Sequence, residues 1–238
     1  MGRVGRALVL HEFLERIRDR WVLVITLVFA VLAGGIALYG RSAGDAAGLV
    51  TAPSLVTLAA FLVPLVALVL LAKYMGRGIA LCLAIGIGFG TAAFAMGAGQ
   101  RGVLLSLVPS TLLLGTSFLS VGILISTVAQ RHATAASLSV VTWFGLVFFY
   151  DLALLVAMVA TDGALSQDAV AWLVSLNPAG LYRLGLMTSL VGEGALEELG
   201  MVVALPGSVT QASLWAAWIA GPLAVGALLL SRRRAVTA

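Results

Sequence analysis

Six long apolar stretches dominate this sequence and decide what kind of protein it can be. They cover residues 21–39, 53–72, 78–98, 104–128, 134–160 and 212–230. A helix needs roughly 20 apolar residues to cross about 30 Å of hydrocarbon. With 61% hydrophobic and 10% charged residues, the chain lies outside the range of soluble globular domains. The pattern predicts an all-α integral membrane protein with six transmembrane helices, since a β-barrel would need short alternating strands instead.

The basic residues set the expected orientation and divide the chain. If the N-terminus is cytoplasmic, eleven of the 14 Lys and Arg residues lie inside and three, Arg41, Arg101 and Arg183, lie outside. Basic residues near span ends are retained in the cytoplasm, so we expect both termini there. The chain then divides into a cytoplasmic helix (1–20), five spans (21–160), an outer segment (161–211), a sixth span (212–230) and a basic tail (231–238). The pI near 9.8 reflects these basic residues, which can lie beside anionic lipid at the membrane surface. A nucleic-acid partner is therefore not needed to explain the positive charge.

Residues 1–20 have the spacing of an amphipathic helix. Leu10, Leu14 and Ile17 follow one another at intervals of four and three, Phe13 flanks them, and charged residues occupy the opposite face. Such a helix lies along the membrane surface before the first span. Two interpretations stay open: a positive-inside anchor, or an elbow helix that passes motion from a cytoplasmic partner to the first span through Phe13, Leu14 and Ile17.

One acidic residue, Asp151, falls inside a predicted span. An unpaired charge in a membrane is costly, so such a residue marks either a functional group or a polar contact. Asp151 could bond a neighbouring helix, reach the outer surface, or take part in transport or proton relay. The sequence around it also resembles half of an intramembrane aspartyl protease site. That chemistry needs a second facing aspartate, and no other span contains one.

Other catalytic and metal chemistry lacks its partners in this sequence. Ser117 lies in the fourth span, but both histidines, His11 and His132, lie outside the spans, so no base is available to it. The six methionines are dispersed and the single cysteine, Cys82, has no neighbouring ligand, so we expect no metal site.

Small and hydroxyl residues instead indicate close helix packing. Gly86 and Gly90 form a GxxxG pair in the third span, and Ser110 and Ser117 fall near one face of the fourth. Residues of this kind let membrane helices approach closely. We therefore expect tight packing within the bundle or between two copies.

The outer segment reads as two amphipathic helices. Ser166 is a candidate N-cap with Asp168 in the first turn, and Asn177-Pro178 begins the second helix. Trp172 and Tyr182 suit a membrane interface. A partner outside the membrane would dock on this segment, because no other predicted outer segment is large enough to protrude.

Together these segments resemble a known family. The stretches "RDRW", "PSLVTLAAFLVPLVAL", "LAKYMGRGIAL", "YDLALL" and "SLNPAGLYRLGLM" are similar to the type-2 ABC permease that serves maturation of nitrous-oxide reductase. The similarity runs through almost the whole chain. It implies a type-2 ABC exporter permease architecture in the bacterial inner membrane, and a non-catalytic subunit that contributes to assembly of the copper–sulfur site.

The resemblance also implies partners and the residues that meet them. A second copy would form a dimer, an ABC ATPase dimer would bind below with ATP and Mg, and a periplasmic β-helix protein would sit outside; membrane lipid surrounds the chain, which itself binds no cofactor. Two sets of residues follow. ATPase coupling falls to Phe13, Leu14, Ile17, Arg131 and His132, and docking of the outer partner to Trp172, Asn177, Pro178, Tyr182 and Arg183.

One departure from the family concerns the connection between the second and third spans. Family members carry a cytoplasmic segment of some tens of residues there, which docks on the ATPase. Here Leu70 is followed almost directly by Lys73. The sequence leaves open whether the segment is lost or belongs to a longer protein. If it is lost, a membrane scaffold without transport becomes the alternative, and an intramembrane hydrolase a more distant one.

Overall fold

The computed structural model describes residues 20–42, 47–71, 85–92, 94, 101–129, 131–191 and 206–237, and these residues form helices joined by short turns. In chain order the helices are α1 (Arg20–Ser42), α2 (Ala47–Leu71), α3 (Arg101–Val128), α4 (His132–Phe144), α5 (Tyr150–Ala160), α6 (Gln167–Leu176), α7 (Pro178–Val191) and α8 (Ser208–Thr237). A five-residue π-helix, Gly145–Phe149, joins α4 to α5 and is called the π-turn below. The prediction of an all-α protein is confirmed for these residues.

Three of the helical segments are long and apolar enough to cross a membrane. They are Leu107–Val128, Ala133–Ala160 and Ser208–Arg232, and they coincide with the fourth, fifth and sixth predicted spans. Shorter apolar helices, Thr26–Gly40 and Pro53–Leu68, lie within the first and second. Most of the third predicted span and the residues Phe13, Leu14 and Ile17 fall outside the described part of the chain. A total of six spans therefore stays a prediction.

Helix α3 forms the centre of the described bundle. Helices α2 and α8 both pack against it. Of the apolar stretch of α3 that could cross a membrane, 39% is buried, compared with 6% for each of the other two such segments. Small residues make this possible: Ser117 is fully buried and returns its hydroxyl to Leu113 O at 2.9 Å, while Gly226 of α8 lies against Thr127. The packing role predicted for Ser117 agrees with this burial, and Ser110 is partly buried.

The third predicted span packs through a different glycine from those expected. Gly86 and Gly90 are exposed, and a Cβ on either would meet nothing within 4 Å. Between them Gly88 is buried, and a Cβ there would lie 1.9 Å from the ring of Phe29. Among the described residues, none therefore contacts Gly86 or Gly90 in the way predicted, and contact with a second copy stays a prediction.

A proline and a left-handed turn interrupt the regular helix bonding of two spans. Pro222 removes the N–H that would bond to the carbonyl of Trp218 four residues earlier. Ser120 Oγ of α3 lies 2.8 Å from that carbonyl and 2.7 Å from Ser117 O of its own helix, so its single proton is shared between the two acceptors. Beyond α5, Asp162 adopts a left-handed conformation (φ 49°), and Gly163 N donates to Met158 O at 3.0 Å. This pattern of bonds ends the helix and reverses the chain.

Candidate functional site

Helices α6 and α7 form a hairpin, residues 167–191, that is tied to the spans by polar bonds. Its predicted starts are confirmed: Ser166 Oγ accepts from Ala169 N at 3.2 Å, and the second helix begins at Pro178. Pro is favoured at a first helical position, where its missing N–H would have no partner anyway. The sequence of the turn between the two helices follows from the contacts of Asn177 and Gly180 and from the position of Pro178.

Asn177 lies in that turn and uses both ends of its amide. The side chain is 1% exposed. Its Oδ1 accepts from Ala179 N at 3.1 Å, which caps the start of α7. Its Nδ2 donates to the carbonyl of Leu146 in the π-turn. A single buried amide therefore closes the hairpin and attaches it to the fifth span.

Gly180 is required by the close approach of the two hairpin helices. A Cβ at this position would lie 2.2 Å from the carbonyl oxygen of Val174. That separation is far below van der Waals contact, so only glycine fits without moving the backbone. Asn177, Pro178 and Gly180 together account for the "NPAG" sequence of the turn.

Tyr182 binds the hairpin to the central helix α3. It is 1% exposed, and its hydroxyl lies 2.9 Å from Thr111 Oγ1, which in turn donates to Leu107 O at 2.8 Å. Because the threonine proton is used in its own helix, Tyr182 is the donor of the contact between them. Burial raises the pKa of Tyr182 above its ordinary value, so the phenol remains neutral.

Arg183 binds the hairpin to the fifth span through Asp151. Its Nη2 donates to Asp151 Oδ2, and its Nε donates to Ala179 O at 3.3 Å. The two side chains are 29% and 36% exposed. Of the interpretations of Asp151, a bond to a neighbouring helix is the one that the structure contains.

Two further bonds were not foreseen from the sequence. Tyr150 of the fifth span donates its hydroxyl to Leu173 O, and Trp218 of α8 donates Nε1 to Leu176 O at 2.9 Å. The accepting carbonyls lie in the last turn of α6, where helix carbonyls lack partners in their own helix. The hairpin is thus bonded to three spans: the fourth, the fifth and the sixth.

The docking surface predicted for this segment needs correction. Asn177, Pro178 and Tyr182 are buried inside the chain, so their side chains do not present a surface to another protein. They were expected outside because the sequence shows a helix's polar face but not its neighbours. Trp172, 46% exposed, is accessible, and Arg183 is half-exposed but bonded to Asp151.

Two of the five residues predicted to face an ATPase, Arg131 and His132, lie at the α3–α4 connection. Arg131 is exposed and extended at the start of α4, and its side chain makes no capping bond. His132 is the first residue of α4. Within the described part of the chain, no group of three His, Cys, Asp or Glu residues is arranged to hold a metal ion.

Comparison with known proteins assigns a family to this arrangement. Residues 67–235 match the family described as ABC-2 family transporter protein. The chain belongs to this family. The hairpin and the three spans that hold it all lie in the matched region, so the bonded unit is part of the ABC-2 permease domain.

Curated relatives narrow the type of permease. The chain is 34% identical to the "Probable ABC transporter permease protein NosY" of Stutzerimonas stutzeri and to the protein of the same name from Pseudomonas aeruginosa strain PAO1. In each case the match covers 93% of this chain and 96% of the relative. The resemblance found in the sequence is confirmed: this ABC-2 permease is of the NosY type.

The alignments also bear on the short connection after the second span. The one with the S. stutzeri protein runs over 266 positions, which exceeds the 238 residues of this chain. That relative therefore has residues within the aligned region that this permease lacks. A difference of this kind is expected between Leu70 and Lys73, where the second predicted span is followed almost directly by the third.

Proposed function

We propose that this permease couples ATP hydrolysis by a separate cytoplasmic subunit to assembly of the copper–sulfur site of nitrous-oxide reductase in a denitrifying bacterium. It would do so by exporting a sulfur or copper species or by transmitting force to a periplasmic partner. The similarity to the NosY permeases supports the process. The bonds that join the hairpin to three spans support the mechanical part of the proposal.

Force transmission needs a path from the spans to the far side of the membrane. Tyr182, Arg183 and Asn177 connect the hairpin to the fourth and fifth spans through side chains that are buried or half-buried. Polar bonds of this kind resist separation in a low-dielectric environment. A rearrangement of the spans would therefore displace the hairpin, and with it any protein docked on the exposed Trp172.

The proposed complex has four kinds of partner. Two copies of the permease form the membrane unit, an ABC ATPase dimer with ATP and Mg binds the cytoplasmic side near Arg131, a periplasmic β-helix protein meets the hairpin, and lipid covers the exposed apolar faces. The distribution of Lys and Arg supports a cytoplasmic position for both termini. The proposed mechanism needs no cofactor on this chain, because the ATP and Mg bind the ATPase.

The hydrolase alternative is not favoured by the site. An aspartyl protease needs two carboxylates that share a proton, whereas Asp151 faces the guanidinium of Arg183. The scaffold alternative predicts the same bonds but no response to ATP, so it is separated from the proposal by experiment.

The test is complementation of a permease-deletion strain of a denitrifying bacterium. Wild-type chain, Arg183→Ala and the matched control Arg232→Ala, an exposed arginine of α8, are expressed at equal levels. We expect wild type and control to restore nitrous-oxide consumption and the copper content of the purified reductase, and Arg183→Ala to lower both.

If the deletion strain without any permease consumed nitrous oxide and loaded its reductase with copper as fully as the complemented strain, the proposed process would be refuted. Restoration by the wild-type chain when the partner ATPase carries an inactive nucleotide site would favour the scaffold. The ATPase rate of the purified complex, measured with each variant, reports coupling directly.

A further inference from the structure

We infer that the outer half of this permease contains a water-filled vestibule, and that the ion pair of Asp151 and Arg183 forms its inner end. The vestibule admits water and small hydrophilic solutes from the outer side of the membrane. This inference goes beyond the proposed function and does not rest on it, because access of water is a property of this chain and is measured without an ATPase.

The depth of Asp151 follows from the length of the fifth span. The apolar segment Ala133–Ala160 has 28 residues, which at 1.5 Å per residue make a helix about 42 Å long. Asp151 lies about 7 Å from its midpoint, on the side of Ala160, which is the outer end in the orientation expected from Lys and Arg. The hydrocarbon layer is about 30 Å thick. Asp151 therefore lies inside this layer wherever a helix of that length is placed across it.

The hairpin lies beside this half of the span rather than above it. As α6 proceeds from Leu173 to Asn177, its bonds on the fifth span move back from Tyr150 to Leu146. The two segments are therefore antiparallel, and the turn after α6 lies near the middle of the span. Trp218 of α8, which bonds the last turn of α6, also lies well inside its own apolar segment. The hairpin thus reaches into the membrane, and its arginine pairs with the aspartate at that depth.

The ion pair is not covered by the rest of the chain. The side chains of Arg183 and Asp151 are 29% and 36% exposed. Arg183 Nη2 and Nε donate to Asp151 Oδ2 and to Ala179 O, whereas Arg183 Nη1 and Asp151 Oδ1 make no bond to a described residue. Neither atom is among the buried polar atoms that lack a partner. Both are therefore open to whatever surrounds the pair.

Water, and not hydrocarbon, is the surrounding that satisfies these atoms. Charged side chains within membrane spans almost always face the bundle interior or a water-filled cavity, because contact of a charge with hydrocarbon costs several kcal/mol. Pairing offsets this cost only when the remaining N–H groups and lone pairs are also bonded. Water can accept from the guanidinium and donate to the carboxylate. The exposed side of the pair therefore faces water.

The open face of α5 shows the direction in which the vestibule continues. Leu155 and Met158 follow Asp151 at intervals of four and three, so they lie on the same face of the helix, and both are exposed. This face stays exposed up to Asp162 in the turn after α5. Towards the middle of the membrane, by contrast, Val147 is buried. The vestibule therefore opens at the outer end of the span and is closed below the ion pair.

The docking proposed for Trp172 also depends on such an opening. Trp172 directly precedes Leu173, whose carbonyl bonds Tyr150 of the fifth span. It therefore lies at nearly the depth of Asp151. A protein outside the membrane can contact a side chain at that depth only where the outer half of the permease is open to water.

Deuterium modulation of spin labels measures water at single positions. With Cys82 replaced by alanine, the full chain carries one label, at Leu155→Cys or at the matched control Val156→Cys. Leu155 lies one turn beyond Asp151 on its face, whereas Val156 lies about 140° away around the helix. The two positions are nearly equally exposed, and the control is one residue nearer the outer end. In nanodiscs prepared in D₂O, we expect several times deeper deuterium modulation for Leu155→Cys than for Val156→Cys.

A reagent applied from one side tests where the vestibule opens. A cysteine reacts as its thiolate, which forms in water and not in hydrocarbon. A charged methanethiosulfonate that cannot cross the membrane should modify Leu155→Cys several times faster than Val156→Cys when it is added outside spheroplasts. After solubilisation in detergent the two cysteines should react at similar rates, which controls for their intrinsic reactivity.

Equal deuterium modulation at the two positions would overturn the inference, because water would then reach both sides of α5 or neither. Reaction of Leu155→Cys only when the reagent is added to the cytoplasmic face would overturn it as well. Both substitutions lie at exposed positions, so folding is not at risk. If the labels fail to differ while complementation succeeds, the vestibule is wrong and the proposed function stands.

Discussion

Asn177 is the single asparagine of the chain, and at the residue scale it explains most about the hairpin. Its two amide ends satisfy an N–H of α7 and a carbonyl of the π-turn. A buried polar group left without a partner costs more than a hydrogen bond gains. Gly180 is constrained sterically instead, by its close approach to the carbonyl of Val174. Substitution of either residue should therefore destabilise the hairpin.

Replacing Asn177 by alanine removes both bonds. We expect the free energy of unfolding to fall by about 1–3 kcal/mol, because the Leu146 carbonyl and the Ala179 N–H lose their partner. The measurement is unfolding in mixed detergent micelles. Gln167→Ala, at an exposed position of α6, is the control and should change stability little; equal effects of the two substitutions would contradict the role given to Asn177.

Replacing Gly180 by alanine should destabilise the chain through overpacking. The added Cβ would start 2.2 Å from Val174 O, and relieving such a clash typically costs about 1–3 kcal/mol. Gly35→Ala, at an exposed position of α1 and with nothing within 4 Å of the new Cβ, should be neutral or stabilising by up to about 1 kcal/mol. Thermal denaturation of both variants in detergent measures these changes in stability. An unchanged melting temperature for Gly180→Ala would show that α6 and α7 can move apart to admit the Cβ.

At the scale of elements, the proline inside α8 is compensated by a neighbouring helix. Pro222 leaves the Trp218 carbonyl without its helical donor, and Ser120 of α3 reaches that carbonyl with a hydroxyl proton that it shares with Ser117 O. In a membrane, water cannot satisfy a freed carbonyl, so a neighbouring side chain takes that role. The serine and the proline should therefore be energetically coupled.

A double-mutant cycle measures that coupling. Ser120→Ala alone should cost about 1 kcal/mol, because the carbonyl loses its donor. In a Pro222→Ala background the helix regains its own N–H, so the same substitution should cost much less. Ser126→Ala, which removes only a bond within α3, serves as the control. Equal costs of Ser120→Ala in both backgrounds would mean that the serine bond does not compensate the proline.

At the scale of the whole molecule, burial separates residues that hold the hairpin from residues that a partner can reach. Tyr182 and Trp172 looked alike as interfacial aromatics in the sequence, yet one is 1% exposed and the other 46%. Their substitutions should therefore affect different properties of the permease.

Trp172→Ala should leave stability nearly unchanged and weaken association with the proposed periplasmic partner. Tyr182→Phe should lower stability by about 1 kcal/mol through loss of the bond to Thr111. Thermal denaturation and co-purification with the partner protein measure the two effects. If Trp172→Ala kept full association, docking would have to involve another surface.

Much of the architecture follows from local properties of the sequence. Apolar length identifies the spans because the hydrocarbon core has a fixed thickness. Ser166 and Asn177-Pro178 locate the hairpin helices, because capping and proline geometry act within a few residues. The family was indicated by the resemblance of stretches such as "SLNPAGLYRLGLM" to known permeases, and the comparisons confirm it.

The polar connections were decided by the tertiary structure alone. Arg183 meets Asp151 across 32 residues, Tyr182 meets Thr111 across 71 and Ser120 meets Trp218 across 98. A helical pattern shows which side chains share a face but not which helix lies against that face. The π-turn has no local sequence signal either, since it arises where one extra residue must fit between contacts fixed on both sides. The sequence by itself thus determined a membrane permease with a capped hairpin, and packing between distant segments decided that the hairpin is bonded to the spans.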